Sequence, residues 1–302
     1  MNYFSICDGI GAAHMAFMPL GFRCVGISEV DKYCNRLIES KYNYKNYGDF
    51  TKWKEWGHIN ADIVVGGTPC TAFSFVGRRE GTASIAGRLT PAFVQFVSKQ
   101  RPRYFIWENV AGVLSIDKGR LFQWMCHQFQ KCGYGLGYRI LDARYFGVAQ
   151  RRRRVFLVGS LGDAFGAGKI LFDSETLPLS FGEIGKERHT HFRTVAIGHE
   201  NNSTEHDHRY RLTGKVSGTL KTQLDGGVEQ VNSIVIDGNR PRYLTPVECE
   251  RLMGFPDNYS AGFSDTRRYK MLGNSMVVPV IRWIGERILS IDRETTGWAK
   301  AG

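Results

Sequence analysis

The sequence predicts an α/β protein with a doubly wound, mostly parallel sheet and a small irregular second domain. The first observation is that short apolar runs, which suit buried strands, alternate with amphipathic segments between residues 3 and 159. The second is that 302 residues with 42% hydrophobic content can bury a sizeable core. The third is a change after residue 162, where the chain becomes glycine-rich and polar.

The N-terminal segment predicts a β-α-β unit. A strand over residues 3–7 leads into Asp-Gly-Ile-Gly, and a second strand over 24–28 ends in Glu29. Glycines such as Gly9 and Gly11 let the backbone approach a ligand closely, and an acid about 20 positions later can bind both hydroxyls of a ribose. Because any strand-to-helix turn favours glycine, the pattern alone leaves a nucleoside site and a structural turn both open.

A proline-cysteine pair follows the next predicted strand. The run Val-Val-Gly-Gly-Thr-Pro-Cys ends at Cys70, and a further strand over residues 104–107 ends in Glu108. Ligands of open α/β sheets bind beyond the carboxyl ends of strands, so Cys70 is placed where a nucleophile would be held. A buried cysteine is more often a small hydrophobic residue, so the motif alone does not decide between the two interpretations.

Helix boundaries follow from capping signals. We expect a first helix over 12–20 and another that begins with Thr90 as N-cap and Pro91 at its first position. Thr245-Pro-Val-Glu248 predicts a capping box. A last amphipathic helix is expected to end near Leu289.

Charge and cysteine usage restrict the partners. Forty Lys and Arg against 29 Asp and Glu give a net charge of +11, which favours a polyanion such as nucleic acid. We expect no membrane span and no export, because the chain has no long apolar run and no basic start. Seven cysteines without a Cys-x-x-Cys pair argue against a disulfide framework, so a cytoplasmic location is expected.

Two further patterns each allow two interpretations. Residues 151–154 are all arginine; this run is either a solvated or phosphate-facing patch or, if extended, places Arg152 and Arg154 on one face. Five histidines occur between residues 189 and 208, with spacing that matches no standard metal site. We therefore expect solvated loop histidines and no metal.

In this order, the motifs resemble the DNA (cytosine-5) methyltransferases of prokaryotic or phage type. The resemblance spans nearly the whole chain and is carried by these segments: Asp-Gly-Ile-Gly at 8–11, Glu29, Asp49, Pro69-Cys70, Glu-Asn-Val at 108–110, residues 150–154, residues 242–255 and Gly-Asn-Ser at 273–275. It implies a Rossmann-like catalytic domain that binds S-adenosyl-L-methionine, formed by residues 1–181 plus 268–302. It also implies a small target-recognition domain over 182–267.

The resemblance also implies residue roles. Cys70 attacks carbon 6 of a flipped-out cytosine, Arg152 and Arg154 stabilise charge at O2, and Glu108 binds N3 and the exocyclic amine. The cofactor-binding residues are Cys7, Gly9, Ile10, Gly11, Glu29, Val30, Asp49, Phe50, Gly67, Pro69, Asn274 and Met276. The DNA-binding residues are Ser74, Arg78, Arg79, Arg209, Arg211, Lys215, Lys221, Gln223, Gly226 and Gly227. The implied partner is double-stranded DNA, bound by a monomer, with a cognate restriction endonuclease acting separately.

Three positions depart from the family pattern. Most relatives have Gln at Thr71, Phe at Cys7 and an aromatic residue at Val30, so packing around the cofactor is expected to be looser. Two alternatives stay open: an RNA cytosine-5 methyltransferase of the same architecture, and a catalytically silent DNA-binding homologue. The domain after residue 162 favours duplex DNA, and intact Cys70 and Glu108 favour catalysis.

Overall fold

The computed structural model describes residues 1–69, 85–172, 193–197, 210–214, 217, 220, 233–237 and 240–298. The chain forms two compact units. The first comprises Met1–Leu141, Arg154–Thr176 and Ile281–Gly302, and the second comprises Asp142–Arg153 and Leu177–Val280. Among the described residues, no helix is both long and apolar enough to cross a membrane.

A six-stranded sheet is the centre of the first unit. Its strands are β1 (Asn2–Ile6), β2 (Arg23–Ser28), β3 (Ile63–Gly66), β4 (Tyr104–Val110), β5 (Tyr134–Asp142) and β6 (Arg153–Leu161), in the order β2-β1-β3-β4-β6-β5. β1 pairs in parallel with β2 and β3, and β3 with β4, whereas β6 is antiparallel to β4. The predicted mostly parallel, Rossmann-like sheet is confirmed. Its carboxyl-end edge is therefore formed by the ends of β1 to β4.

The helices begin and end as follows. They are α1 (Ala12–Phe17), α2 (Lys32–Lys41), α3 (Ile85–Gln100), α4 (Arg120–Lys131), α5 (Gly166–Phe172), α6 (Pro246–Met253), α7 (Asp265–Asn274) and α8 (Val278–Trp298). Aromatic residues dominate the core between the sheet and its helices. Phe93 of α3 packs edge-on against Phe105 of β4, and the rings of Phe105 and Phe129 of α4 pack in a tilted arrangement with their centroids 4.2 Å apart. All three side chains are fully buried, so α3 and α4 are held against β4.

The second unit contains a four-stranded antiparallel sheet. Its strands are β7 (Arg193–Ile197), β8 (Tyr210–Gly214), β9 (Ser233–Asp237) and β10 (Arg240–Tyr243), in the order β10-β9-β7-β8. The capping box that opens α6 is present, since Thr245 accepts from the backbone of Glu248 and the Glu248 carboxylate accepts from the Thr245 N–H. Arg242 donates two further bonds to Glu248, which ties β10 to the start of α6.

Several predicted boundaries were wrong. Helix α3 begins at Ile85, so Pro91 lies inside the helix and Thr90 is not its N-cap. The Thr90 hydroxyl instead pairs with Thr68, a tertiary partner that a local capping signal does not reveal. Helix α1 ends at Phe17 and is followed by one 3-10 turn, and α8 extends beyond Leu289 to Trp298.

Candidate active site

The turn after β1 has the backbone shape that its glycines allow. Gly9 and Gly11 have φ values of 61° and 81°, in the left-handed region that side chains disfavour. Cys7 adopts φ 51° although it is not glycine, which is a strained conformation of the kind that concentrates at ligand sites. A Cβ at Gly9 would meet no atom within 4 Å, so open space adjoins this turn. Burial raises the pKa of the Cys7 thiol to about 12, so this cysteine stays neutral.

Glu29 joins this turn to the end of β2. Its Oε2 accepts from the backbone N–H of Gly9 at 2.7 Å, and its Oε1 accepts from the N–H groups of Val30 and Asp31 at 2.8 Å each. Burial raises the pKa of Glu29, whereas these three hydrogen bonds oppose the rise. An ionised carboxylate accepts about four hydrogen bonds, so Oε2 retains room for a ligand hydroxyl.

Apolar side chains next to Glu29 differ in exposure. Val30 is 67% exposed, so its side chain is available to a ligand. Phe50 is only 2% exposed and packs against Trp56 and Phe96, which makes it part of the core. The Asp49 carboxylate caps the 3-10 turn that follows it by accepting from the Thr51 N–H and hydroxyl.

Asn46 holds these segments together, and the sequence patterns did not single it out. Its Oδ1 accepts from the backbone N–H groups of Glu29 and Gly48, and its Nδ2 donates to the Glu29 carbonyl and to Asn35. The position of Glu29 is therefore fixed through its backbone as well as its side chain. The weak signal available in the sequence was an Asn two residues before Gly48-Asp49.

A buried polar chain lies behind the same turn. The carboxylate of Asp8 contacts Nε2 of His14 at 3.0 Å, and Nδ1 of His14 lies 2.6 Å from the Tyr3 hydroxyl. Burial alone would lower the pKa of His14, but the neighbouring Asp8 carboxylate outweighs it and raises that pKa to about 9. A charged His14 therefore neutralises Asp8 below the glycine turn.

Glu108 and Arg154 form an ion pair at the edge where β4 ends. Nε of Arg154 lies 3.3 Å from Oε1 of Glu108, and the two side chains are 17% and 12% exposed. Both residues lie inside strands, where Arg154 of β6 is opposite Val110, two residues after Glu108 in β4. A Cβ at Gly67 would come within 3.0 Å of Oε2 of Glu108, so the chain just beyond β3 approaches this carboxylate closely. Pro69 is the last described residue before Cys70.

Three predicted site residues lie in the second unit. Arg152 is 3% exposed and donates to the carbonyl groups of Leu220, Gly273 and Ser275 at 2.9–3.2 Å. Asn274 is exposed at the end of α7, and Met276 is 6% exposed. The guanidinium of Arg152 is thus engaged with the backbone of its own unit, and its predicted role at O2 stays a prediction.

Most of the other predicted residues lie outside the described part of the chain. They are Cys70, Ser74, Arg78, Arg79, Arg209, Lys215, Lys221, Gln223, Gly226 and Gly227. Arg211 is described only as backbone of β8. Their assigned roles remain predictions from the sequence.

Solved structures share the fold of this chain. The chain superposes on the Dnmt2 methyltransferase of S. pombe with a TM-score of 0.70, at 18% identity, covering 96% of this chain and 98% of the other. A Spodoptera frugiperda DNMT2 variant gives 0.68 at 16% identity, covering 95% and 99%. At these identities the likeness concerns the fold alone.

Sequence comparisons identify the family. The model for C-5 cytosine-specific DNA methylase matches residues 1–176 and 174–290. Similar proteins include the type II methyltransferase M.DsaV of Dactylococcopsis salina, 31% identical over 96% of this chain and 86% of that protein. M.NlaX of Neisseria lactamica is 32% identical over 94% of this chain and 96% of that protein. The chain belongs to the C-5 cytosine-specific DNA methylase family and is a DNA (cytosine-5) methyltransferase.

Proposed function

We propose that the protein transfers a methyl group from S-adenosyl-L-methionine to carbon 5 of a flipped-out cytosine in a specific duplex DNA sequence, through a covalent Cys70 adduct at carbon 6. The observation that carries this proposal is the Glu108–Arg154 pair, 3.3 Å apart at the carboxyl end of β4. The pair adjoins Gly67, three residues before Cys70. A thiol, a carboxyl group and a guanidinium are the groups that addition to a cytosine ring requires.

The nucleophilic step accounts for these residue types. Carbon 5 of cytosine is a weak nucleophile until a thiolate adds to carbon 6. In the proposed step, the Cys70 sulfur bonds to carbon 6 while ring electrons shift toward carbon 5, and negative charge spreads to N3 and O2. Arg154 stabilises that charge, and Glu108 holds a proton at N3. Once carbon 5 carries the methyl group, its proton passes to solvent, the electrons of that C–H bond restore the double bond between carbons 5 and 6, and the Cys70 sulfur leaves carbon 6 as a thiolate.

The residues around Glu29 suit the methyl donor. S-adenosyl-L-methionine supplies an electrophilic methyl group when bound and leaves as S-adenosyl-L-homocysteine. Oε2 of Glu29 has capacity for a ribose hydroxyl, the exposed Val30 offers an apolar wall for a purine, and the open turn at Gly9 admits a chain close to the backbone. Asp49 remains the candidate for the adenine amino group.

DNA must deliver the base to this edge of the sheet. A cytosine within a duplex is out of reach, so it has to leave the base stack at a cost of a few kcal/mol. The net charge of +11 offsets part of this cost through phosphate contacts. The segment that contains Ser74, Arg78 and Arg79 is proposed to contact the DNA behind the flipped-out base. The segment from Arg209 to Gly227 is proposed to contact the recognition sequence in duplex DNA. We further propose that the enzyme acts as a monomer, separately from a cognate restriction endonuclease.

A mechanism-based substrate tests this function. Genomic DNA from a bacterium without cytosine methylation is amplified with 5-fluorodeoxycytidine triphosphate, so that every recognition site carries fluorine at carbon 5. Fluorine cannot leave as a proton does, so a covalent protein–DNA adduct should accumulate when the cofactor is added. Cys70→Ala should form none. If wild-type protein forms no adduct with this substrate under conditions in which it methylates ordinary DNA, nucleophilic addition is refuted. Methylation of RNA alone would favour the RNA alternative.

A further inference from the structure

Thr68, the residue before Pro69-Cys70, is the centre of a buried hydrogen-bond network. Its hydroxyl lies 2.9 Å from the hydroxyl of Thr90 in α3 and accepts from the indole N–H of Trp107 in β4 at 2.9 Å. Its carbonyl accepts from Nδ2 of Asn109 at 2.8 Å. All four residues are at most 4% exposed.

The hydrogen bonds of this network are complementary. An indole nitrogen can only donate, so the Thr68 oxygen must accept from Trp107, while either hydroxyl of the Thr68–Thr90 pair can donate to the other. Oδ1 of Asn109 is used as well, because it accepts from the N–H of Val110 at 2.9 Å. Buried polar groups are costly when unpaired, and removing the Thr68 hydroxyl would leave the indole N–H of Trp107 without this acceptor.

The network connects three elements at one point of the chain. Thr68 follows β3, Thr90 belongs to α3, and Trp107 and Asn109 flank Glu108 in β4. The backbone of Thr68 is thereby fixed relative to the Glu108–Arg154 pair. Consecutive Cα atoms are only about 3.8 Å apart and proline fixes φ, so a shift of Thr68 passes directly to Pro69 and Cys70.

We propose that Thr68 and Thr90 are positioning residues for the nucleophilic step: their paired hydroxyls set where the chain reaches Pro69, the residue before Cys70 in the sequence, relative to Glu108. This inference rests on the proposed covalent function. A displacement of the order of 1 Å at a reacting group lowers a rate by about 100-fold. Loss of the hydroxyl pair should therefore slow attack on carbon 6 without changing the affinity for the cofactor.

The test compares Thr68→Val and Thr90→Val, which keep side-chain shape, with Thr68→Ser and Thr90→Ser, which keep the hydroxyl. The rate of adduct formation on DNA that contains 5-fluorocytosine is measured at saturating cofactor, with the dissociation constant of S-adenosyl-L-homocysteine and the melting temperature. Each valine variant should form the adduct about 10- to 100-fold more slowly, with the dissociation constant within twofold of wild type. The serine variants should recover most of the rate.

Ser5→Ala is the matched control. Ser5 is a fully buried serine of β1, and its hydroxyl has no hydrogen-bond partner among the described residues, so its removal should leave the rate unchanged. Wild-type adduct rates in folded valine variants, or equal losses in the serine and valine variants, would overturn the inference. If one valine variant does not fold, the other decides the outcome from the opposite side of the pair. Failure of wild-type protein to form any adduct would instead refute the proposed function.

Discussion

The Glu29 carboxylate should be the main determinant of cofactor affinity, and Glu29→Gln tests this with little change of shape. In the folded protein the carboxylate accepts three backbone N–H groups at 2.7–2.8 Å. The glutamine amide has one acceptor oxygen and one NH2 group, so at least one of those N–H groups would face a donor. An unsatisfied backbone N–H costs about 1–3 kcal/mol, which lowers the melting temperature by roughly 2–4 °C per kcal/mol.

Glu29→Gln should also bind the cofactor more weakly, by more than its lower folding stability accounts for. A hydrogen bond from a ribose hydroxyl to a charged carboxylate contributes about 1.5–3 kcal/mol, equivalent to a 10- to 100-fold change in dissociation constant. Calorimetric titration with S-adenosyl-L-homocysteine measures it. Asp31→Ala is the matched control, because Asp31 caps α2 by accepting from Tyr33 and Cys34. It should lose about 1 kcal/mol of stability and no affinity. Wild-type affinity in Glu29→Gln would refute the assignment of Glu29 to the ribose.

Charged groups of the protein allow three further tests. Glu108→Gln keeps the shape of the side chain but removes the proton-holding carboxyl group that faces Arg154. The single-turnover rate of methylation should therefore fall by about 10²- to 10⁴-fold, while the affinity for S-adenosyl-L-homocysteine is retained. An unchanged rate would contradict the role assigned to Glu108. The pKa of His14 is raised from 6.5 to about 9, so its pairing with Asp8 should stabilise the fold fully below pH 6.5 and lose this effect as pH rises through 9, a change of the order of 3 kcal/mol. Urea unfolding should therefore give a difference between wild type and His14→Gln that shrinks from pH 6 to pH 9.5, and a pH-independent difference would rule this out. Affinity for duplex DNA should fall steeply between 50 and 200 mM salt, as expected for several phosphate contacts, and a flat salt dependence would exclude them.

Local signals in the sequence predicted the elements that depend on local chemistry. The Gly9 and Gly11 turn, the Thr245 capping box and the alternation of strands and helices all depend on residues within a few positions of each other, and all occur in the structure. The proximity of Glu29 to the Gly9 turn could be predicted because an acid about twenty residues after the glycines belongs to a known β-α-β pattern.

Side-chain contacts between segments that are distant in the sequence were not predicted. Thr90 carries a strong local capping signal, yet its hydroxyl pairs with Thr68, 22 residues away, while the helix starts five residues earlier. Sequence patterns did not indicate the roles of Asn46 and His14, because their hydrogen-bond partners lie on other strands and turns. Arg152 and Arg154 alternate as one face of a strand would, but their guanidinium groups bind a set of carbonyls and a carboxylate respectively. Burial and pairing, which decide such cases, become visible only in the folded chain.

Methyl transfer to carbon 5 of cytosine in DNA through Cys70 can be tested in living cells. The most direct measurement is to express the protein and its Cys70→Ala variant in a bacterium that lacks cytosine methylation, and to map 5-methylcytosine across the genome by bisulfite sequencing. We expect methylation confined to one short sequence motif with the wild-type protein and none with Cys70→Ala. Equal methylation by both proteins, or an unmodified genome despite soluble, folded wild-type protein, would contradict this expectation.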